Sequence, residues 1–212
     1  EGGFAEAVAG LDGSFHIRSM SEVRAEQILD AALDIIGKQG SHRVTLEGVG
    51  KRVGLTKSAI YHYFANKQDM VRALIMREGT RMMTALERAA EHTADPATKL
   101  RAILRARAEF LSREGGPLTW SLETALDIEP IAREVIPVLR GAEQDLYASV
   151  LRQGNANGKL TVANPDAAAK MLSNCLHGFD QGTVYTRNPR AKKEQLDALL
   201  QMVLEGFLAR DK

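Results

Sequence analysis

Apolar residues recur at helical spacing along most of the chain. Residues 22–38, 67–91 and 96–113 each carry a one-sided apolar period, which is typical of amphipathic helices. The clearest period lies in residues 130–153, through Ile131, Val135, Val138, Ala142, Leu146 and Val150. We find no segment in which apolar and polar residues alternate as in a half-buried strand. The pattern therefore predicts an all-α protein of about nine helices.

Prolines and glycines mark where these helices begin and end. Three pairs join a good N-cap residue to a proline suited to the first helical turn. The pairs are Asp95-Pro96, Asn164-Pro165 and Asn188-Pro189. Glu129-Pro130 predicts a fourth start with a weaker cap, and Pro137 is expected to kink that helix. The sequence GNANG at 154–158 predicts its end, because glycine and asparagine tolerate positive φ.

Composition removes several classes of function. The longest unbroken apolar run is four residues, Ala73 to Met76, whereas a spanning helix needs roughly 20, so no membrane partner is expected. The single cysteine, Cys175, excludes an internal disulfide framework and suits a reducing cytosol. The five histidines lack metal-binding spacing, and no catalytic or phosphate-loop motif occurs. We therefore expect no enzyme activity, no catalytic residue, no metal and no cofactor.

Positive charge is concentrated in one segment of an almost neutral chain. Residues 38–67 hold six basic residues and one acid, Glu47, a balance of +5 in a protein whose net charge is +1. Such a patch fits phosphate binding, although a solvated helical surface has the same composition. The basic residues are Lys38, Arg43, Lys51, Arg52, Lys57 and Lys67.

Within that patch, residues 45–64 (TLEGVGKRVGLTKSAIYHYF) predict two short helices joined by a tight turn. Thr45 and Thr56 are candidate N-caps, and Gly54 supplies the flexible residue of the turn. Gly50 lies where the two helices must touch. This arrangement is a helix-turn-helix, whose second helix needs short polar or basic side chains on its exposed face. The residues predicted on that face are Lys57, Ser58, Tyr61 and His62.

This stretch resembles the DNA-binding domain of the tetracycline-repressor (TetR) family of transcriptional regulators. The resemblance begins at Ile28-Leu-Asp-Ala-Ala-Leu33 and is most specific in Leu55-Thr-Lys-Ser-Ala-Ile-Tyr-His-Tyr-Phe64 and Asn66-Lys67. Gly50 stands where the family usually has alanine, and Ala59 where a hydroxyl residue is common. Analogy with the family therefore leaves the operator sequence open.

The resemblance implies a domain order. A flexible arm at residues 1–20 would precede a three-helix helix-turn-helix domain over residues 21–66. Residues 67–212 would form a larger α-helical domain for effector binding and dimerisation. The implied function is a bacterial, cytoplasmic, nucleoid-associated repressor that binds a palindromic operator and is released by a small molecule. The alternative is a helical ligand-binding or scaffold protein of the same fold without a specific operator.

The resemblance also assigns roles toward double-stranded DNA. Thr45 and Lys67 would hold phosphates, and Tyr61 would hydrogen-bond the DNA backbone. Lys57 is suited to guanine or to phosphate. Alternatively, Thr56 acts only as a helix cap, and His62 lies on the surface without contacting DNA. The residues expected to face the major groove are Thr56, Lys57, Ser58 and His62.

In the remaining helices the resemblance implies a pocket for a hydrophobic or amphipathic effector. Alternatively, the apolar residues proposed to line this pocket belong to the hydrophobic core and contact no ligand. His177, together with Gln181 one turn later, fits a dimer face equally well. The candidate ligand residues are Met83, Phe110, Trp120, Glu123, Tyr147, Asn174 and His177.

The last two helices carry the predicted homodimer contact. Gly178 and Gly182 are one helical turn apart, which lets another backbone approach closely. Two such helices from each subunit would form the intersubunit four-helix bundle typical of the family. The alternative is that both helices close the core of a monomer. The apolar seam of the final helix is Leu196, Leu199, Leu200, Val203 and Phe207.

Overall fold

The computed structural model describes residues 22–113, 122–184 and 189–207, and every regular element in these ranges is helical. No β-strand occurs within them, which confirms the all-α prediction. The predicted arm at 1–20 and Trp120 lie outside the described residues. The elements are α1 (Glu22–Gln39), a 3-10 turn (Ser41–Arg43), α2 (Leu46–Arg52), α3 (Lys57–Tyr63), α4 (Lys67–Glu91), α5 (Pro96–Ser112), α6 (Leu122–Ala156), α7 (Pro165–Val184) and α8 (Pro189–Phe207).

The predicted proline starts of α5, α7 and α8 are confirmed. Asp95 caps α5, since its Oδ2 accepts a hydrogen bond from the Thr98 backbone N–H at 2.9 Å. Asn164 caps α7 in the same way, with Oδ1 accepting from the Ala167 N–H at 3.0 Å. Each cap satisfies an N–H group that has no partner inside its own helix. The side-chain and backbone hydrogen bonds from Thr98 hold the pKa of Asp95 below its usual value.

The predicted helix start at Glu129-Pro130 is wrong. Helix α6 begins at Leu122 and runs through both Pro130 and Pro137 to Ala156. The turns before Pro130 are held by tertiary packing, because Thr124 and Ile128 are both buried. Packing of this kind overrides a local breaking signal. The predicted end of the helix is confirmed, with Gly158 at φ 70° shortly after its last residue.

The described residues form two compact units. The first contains 22–80, 113 and 122–139, and the second contains 81–112, 140–184 and 189–207. Helices α4 and α6 therefore contribute to both units, and the first part of each belongs with the helix-turn-helix. This division differs from a boundary at residue 66. The functions that the resemblance assigns to each part of the chain remain predictions.

The first unit is built around the inner faces of α1 to α4. The α4 glycine Gly79 lies against α6, since a Cβ there would be 2.3 Å from Leu139 Cδ1. The fully or almost fully buried residues of this core include Ile28, Ala32, Ile36, Val49, Ile60, Phe64, Met70 and Leu74.

In the second unit, α5 contacts α8. The end of α6 is closed by Leu160, because a Cβ at Gly154 would be 2.3 Å from Leu160 Cδ1. The Asn155 side chain holds the following loop, accepting from the Val162 N–H at 2.9 Å and donating to its carbonyl at 2.7 Å. No helix in the described part of the chain combines the length and apolar character needed to span a bilayer.

Candidate functional site

Helix α2 is fixed at its start and along its inner face. Thr45 caps it, with Oγ1 accepting from the Gly48 N–H at 3.0 Å. Leu46 and Val49 are buried in the core of the first unit. The helix is only seven residues long, too short to be stable alone in water, so this cap and this burial hold it.

The turn between α2 and α3 has the glycines that the sequence predicts. Gly54 has φ 72°, a conformation in which other residues are strained. A Cβ at Gly50 would lie 3.1 Å from Ile60 Cβ, which confirms that the two helices touch there. The Leu55 N–H also donates to the Gly50 carbonyl at 2.8 Å. These contacts fix how α3 projects from the rest of the unit.

Helix α3 presents a polar face to solvent. Thr56 caps it, with Oγ1 accepting from the Ala59 N–H at 3.2 Å, while Ile60 and Tyr63 are buried on the opposite side. Thr56 therefore performs the capping role, and its contact with DNA stays a prediction. Tyr61 lies on the exposed side and is 46% accessible to solvent. The exposed positions of this face are Thr56, Lys57, Ser58, Tyr61 and His62.

Acidic side chains neutralise part of the positive charge of the basic patch. The Lys57 ammonium lies 2.5 Å from a carboxylate oxygen of Glu47, and this contact raises the pKa of Lys57. Asp34 pairs with both Lys38 and Arg52, and its pKa is lowered chiefly by the hydrogen bond from Lys38. The charge count over residues 38–67 did not predict these ion pairs. Asp34 lies outside that segment, and Glu47 lies ten residues before Lys57.

Lys67 begins helix α4 and is placed beside an acid that the sequence analysis did not single out. Its Nζ lies 3.5 Å from Oδ2 of Asp127 on α6. Arg24 supports the turn from the other side, with Nη2 donating to the Val53 carbonyl at 2.8 Å. Thr45 and Lys67 are thus both at helix starts, where backbone N–H groups also favour an anion.

The folded helix-turn-helix has a counterpart in known proteins. Residues 28–74 match the sequence model of the tetR family of bacterial regulatory proteins. The helix-turn-helix of this chain is therefore of the TetR type. The matched segment begins within α1 and ends within α4, so it contains the caps, the turn and the exposed face of α3 described above.

Individual relatives extend the TetR match beyond this segment. The fatty acid metabolism regulator protein of Bacillus subtilis (strain 168) is 25% identical over 183 residues, covering 84% of this chain and 91% of that protein. The HTH-type transcriptional regulator BetI of Paraburkholderia phytofirmans (strain DSM 17436 / LMG 22146 / PsJN) is 32% identical over 106 residues, 48% of this chain and 53% of BetI. The solved structure of SmeT, the repressor of the Stenotrophomonas maltophilia multidrug efflux pump SmeDEF, is 26% identical and covers 91% of this chain and 92% of SmeT, with a TM-score of 0.69. These matches indicate a DNA-binding transcriptional regulator with a TetR-type helix-turn-helix.

The predicted ligand residues of this protein fall into both units. Glu123 belongs to the first unit, where its carboxylate lies 3.8 Å from His42 Nδ1. In the second unit Met83 and Tyr147 are buried, Phe110 and His177 are partly buried, and Asn174 is exposed. Asn174 accepts a hydrogen bond from Arg140, a residue that sequence analysis missed. Ligand contact by these residues stays a prediction.

The second unit also contains a buried ionic network that the sequence did not reveal. Arg107 on α5 donates to Glu143 on α6 at 2.6 Å and makes two hydrogen bonds to Asp180 on α7. Glu143 also accepts from the Tyr147 hydroxyl at 2.9 Å and from the Ser173 hydroxyl at 3.0 Å. The hydrogen-bonded pairs that join different helices are separated by 30 to 73 positions in the chain, so no local sequence pattern reveals them.

Proposed function

We propose that this protein is a repressor that binds a palindromic operator as a dimer and is released by a hydrophobic or amphipathic small molecule. The observation that carries the proposal is helix α3, which is capped by Thr56, anchored by buried Ile60 and exposes a polar face. A short, rigid helix with exposed basic and hydroxyl side chains is the element that enters a major groove. Such a protein acts on the bacterial nucleoid.

On this proposal the exposed residues divide their roles between bases and backbone. Lys57 reads a guanine or holds a phosphate, and Ser58 and His62 face the same groove. Tyr61 donates its hydroxyl hydrogen to a backbone phosphate. Thr45 and Lys67, at the starts of α2 and α4, hold phosphates that fix the register of the protein on the duplex.

The homodimer is formed by α7 and α8. Two of the large apolar side chains exposed in the described residues lie on these helices, Met171 at 63% and Met202 at 65%. Cys175 and Gly178 continue the exposed side of α7 at spacings of four and three residues.

The effector binds in the second unit, among α5, α6, α7 and the part of α4 that belongs to this unit. Met83 and Phe110 supply apolar surface, and His177 and Asn174 supply polar anchors. The Bacillus subtilis relative is named for fatty acid metabolism, which supports an amphipathic acyl compound. An effector that prefers the conformation unable to bind DNA shifts the equilibrium by its differential affinity, typically about 1–3 kcal/mol.

Titration of fluorescent DNA from upstream of the protein's own gene tests the proposal. Lys57→Ala should weaken binding roughly 5- to 150-fold and relax the preference for one sequence if Lys57 reads a base. Lys67→Ala should weaken all sequences alike and reduce the dependence of log K on log salt by about 1.

Lys159→Ala is the matched control, because it removes a cation from an exposed loop of the second unit. It should leave both the affinity and the sequence preference near those of wild type. Equal binding by wild type, Lys57→Ala and Lys67→Ala would overturn the site. A protein that binds effector but no DNA would be the scaffold alternative.

A further inference from the structure

The first turns of α6 carry three acids on one face. Glu123, Asp127 and Glu134 lie four and then seven residues apart, so they follow one stripe of the helix. We call these three residues the acidic stripe. Each of them lies against a basic side chain of the helix-turn-helix or of α4, all within the first unit. The partners are His42 at 3.8 Å, Lys67 at 3.5 Å and Arg72 at 2.8 Å, in that order.

A buried contact holds this part of α6 in place beside the stripe. Thr124 is 1% exposed, and its Oγ1 accepts a hydrogen bond from the Ser41 backbone N–H at 3.2 Å. Asp127 lies three residues after Thr124, less than one helical turn, and its carboxylate therefore lies beside Lys67 at the start of α4. The adjacent Ser41 hydroxyl, and after it the Lys67 ammonium, keep the pKa of Asp127 below its usual value.

The Lys67–Asp127 pair is accessible and loosely held. The side chains are 33% and 44% exposed, and the 3.5 Å separation is long for a charge-assisted hydrogen bond. An exposed ion pair of this kind contributes little, so a DNA phosphate competes with it effectively. The Lys67 ammonium therefore cannot pair fully with the Asp127 carboxylate and with a DNA phosphate at the same time.

We infer that Asp127 competes with the DNA backbone for Lys67, so that the first turns of α6 lower the affinity of this protein for DNA. The inference rests on the proposed phosphate contact of Lys67. Asp127 acts on DNA binding through Lys67 and is therefore a positioning residue. When Lys67 moves to a phosphate, the uncovered Asp127 carboxylate attracts a cation from solution, which offsets part of the counterion release from DNA.

Asp127→Asn tests this competition in the full chain. It should tighten binding to the operator roughly 2- to 20-fold at about 0.1 M salt, counting both halves of a dimer. The plot of log K against log salt should become steeper by up to about 0.9 per subunit, because no cation is taken up by residue 127. A purely structural role for Asp127 would not steepen that plot.

Two variants on the same helix are matched controls. Glu129→Gln removes the same charge two residues away, about 200° around the helix, where Glu129 pairs with Arg133 of α6 itself. Glu134→Gln removes another acid of the stripe without touching Lys67. Both should change the affinity less than Asp127→Asn does. Equal gains in all three variants would overturn the inference, because they would show a general charge effect or a loosening of α6.

Combining Asp127→Asn with Lys67→Ala completes the test. The gain from Asp127→Asn should vanish when Lys67 is absent, whereas an independent effect would persist and overturn the inference. Thermal melting of each variant separates lost folding from changed binding. If wild type binds no DNA, the proposed function fails. If wild type binds DNA and Asp127→Asn matches Glu129→Gln, only the present inference fails.

Discussion

At the scale of single residues, Arg107 illustrates how the second unit tolerates buried charge. Its side chain is 7% exposed, and it is held by the carboxylates of Glu143 and Asp180. Burial raises the pKa of Asp180, and the Arg107 guanidinium opposes that shift. Removing one partner from such a network typically costs about 3–5 kcal/mol, because it leaves a buried charge uncompensated. The network therefore fixes how α5, α6 and α7 are joined.

His177 makes the stability of the protein depend on pH. Burial lowers the pKa of His177, and the Arg140 and Arg107 guanidiniums lower it further, against the opposing carboxylates of Asp180 and Glu143. The folded state therefore disfavours the protonated imidazole. Its stabilising contribution is complete above the ordinary value of 6.5 and is lost as the pH falls below it.

His177→Gln should abolish this contribution, since glutamine does not titrate. Between roughly pH 7.5 and 5.5 the melting temperature of wild type should fall more than that of His177→Gln. Differential scanning calorimetry of both proteins across that range measures the difference. Parallel curves would contradict the prediction.

At the scale of elements, two helical glycines should respond oppositely to the same substitution. Gly79→Ala would place a Cβ 2.3 Å from Leu139 Cδ1, whereas Gly141 has nothing within 4 Å of that position. Alanine favours a helix over glycine by up to about 1 kcal/mol, but overpacking costs about 1–3 kcal/mol.

Gly79→Ala should therefore lower the free energy of unfolding, and Gly141→Ala should raise it by about 0.5–1 kcal/mol. Urea unfolding followed by circular dichroism measures both. A stabilised Gly79→Ala protein would show that α4 and α6 have room to separate at Leu139.

Local signals predicted much of the secondary structure and of the helix-turn-helix. The Asp95 and Thr56 caps depend on residues three positions apart, and the Gly54 turn depends on one backbone angle, so a sequence pattern carries them. Pro130 misled the prediction because the preceding turns are stabilised by packing of Thr124 against the Ser41 turn, 83 positions away. The Lys67–Asp127 pair joins residues 60 positions apart and was missed for the same reason.

At the scale of the whole molecule, dimerisation should control operator affinity. A short recognition helix reads few base pairs, so a monomer discriminates poorly between sequences. The proposed dimer would link two such helices, and its population would depend on protein concentration.

Met171→Glu should therefore shift the protein toward monomer and weaken binding to a palindrome more than to a half-site. The reason is that it places a charge on the exposed stripe of α7 proposed as the dimer face. Leu126→Glu is the control, since Leu126 is 61% exposed but lies on α6 in the first unit. Sedimentation velocity measures the oligomeric state. A fully dimeric Met171→Glu protein would place the interface elsewhere.

The prolines of α6 have a consequence for amide protection. Pro130 and Pro137 have no backbone N–H and cannot donate to the carbonyls of Leu126 and Arg133. Two backbone hydrogen bonds of the helix are therefore missing in or next to the segment that carries the acidic stripe. The remaining amides there are held by fewer neighbouring bonds than those after Leu139. Deuterium should enter this stretch first, and a helix that opens there would withdraw Asp127 from Lys67 without unravelling its far end.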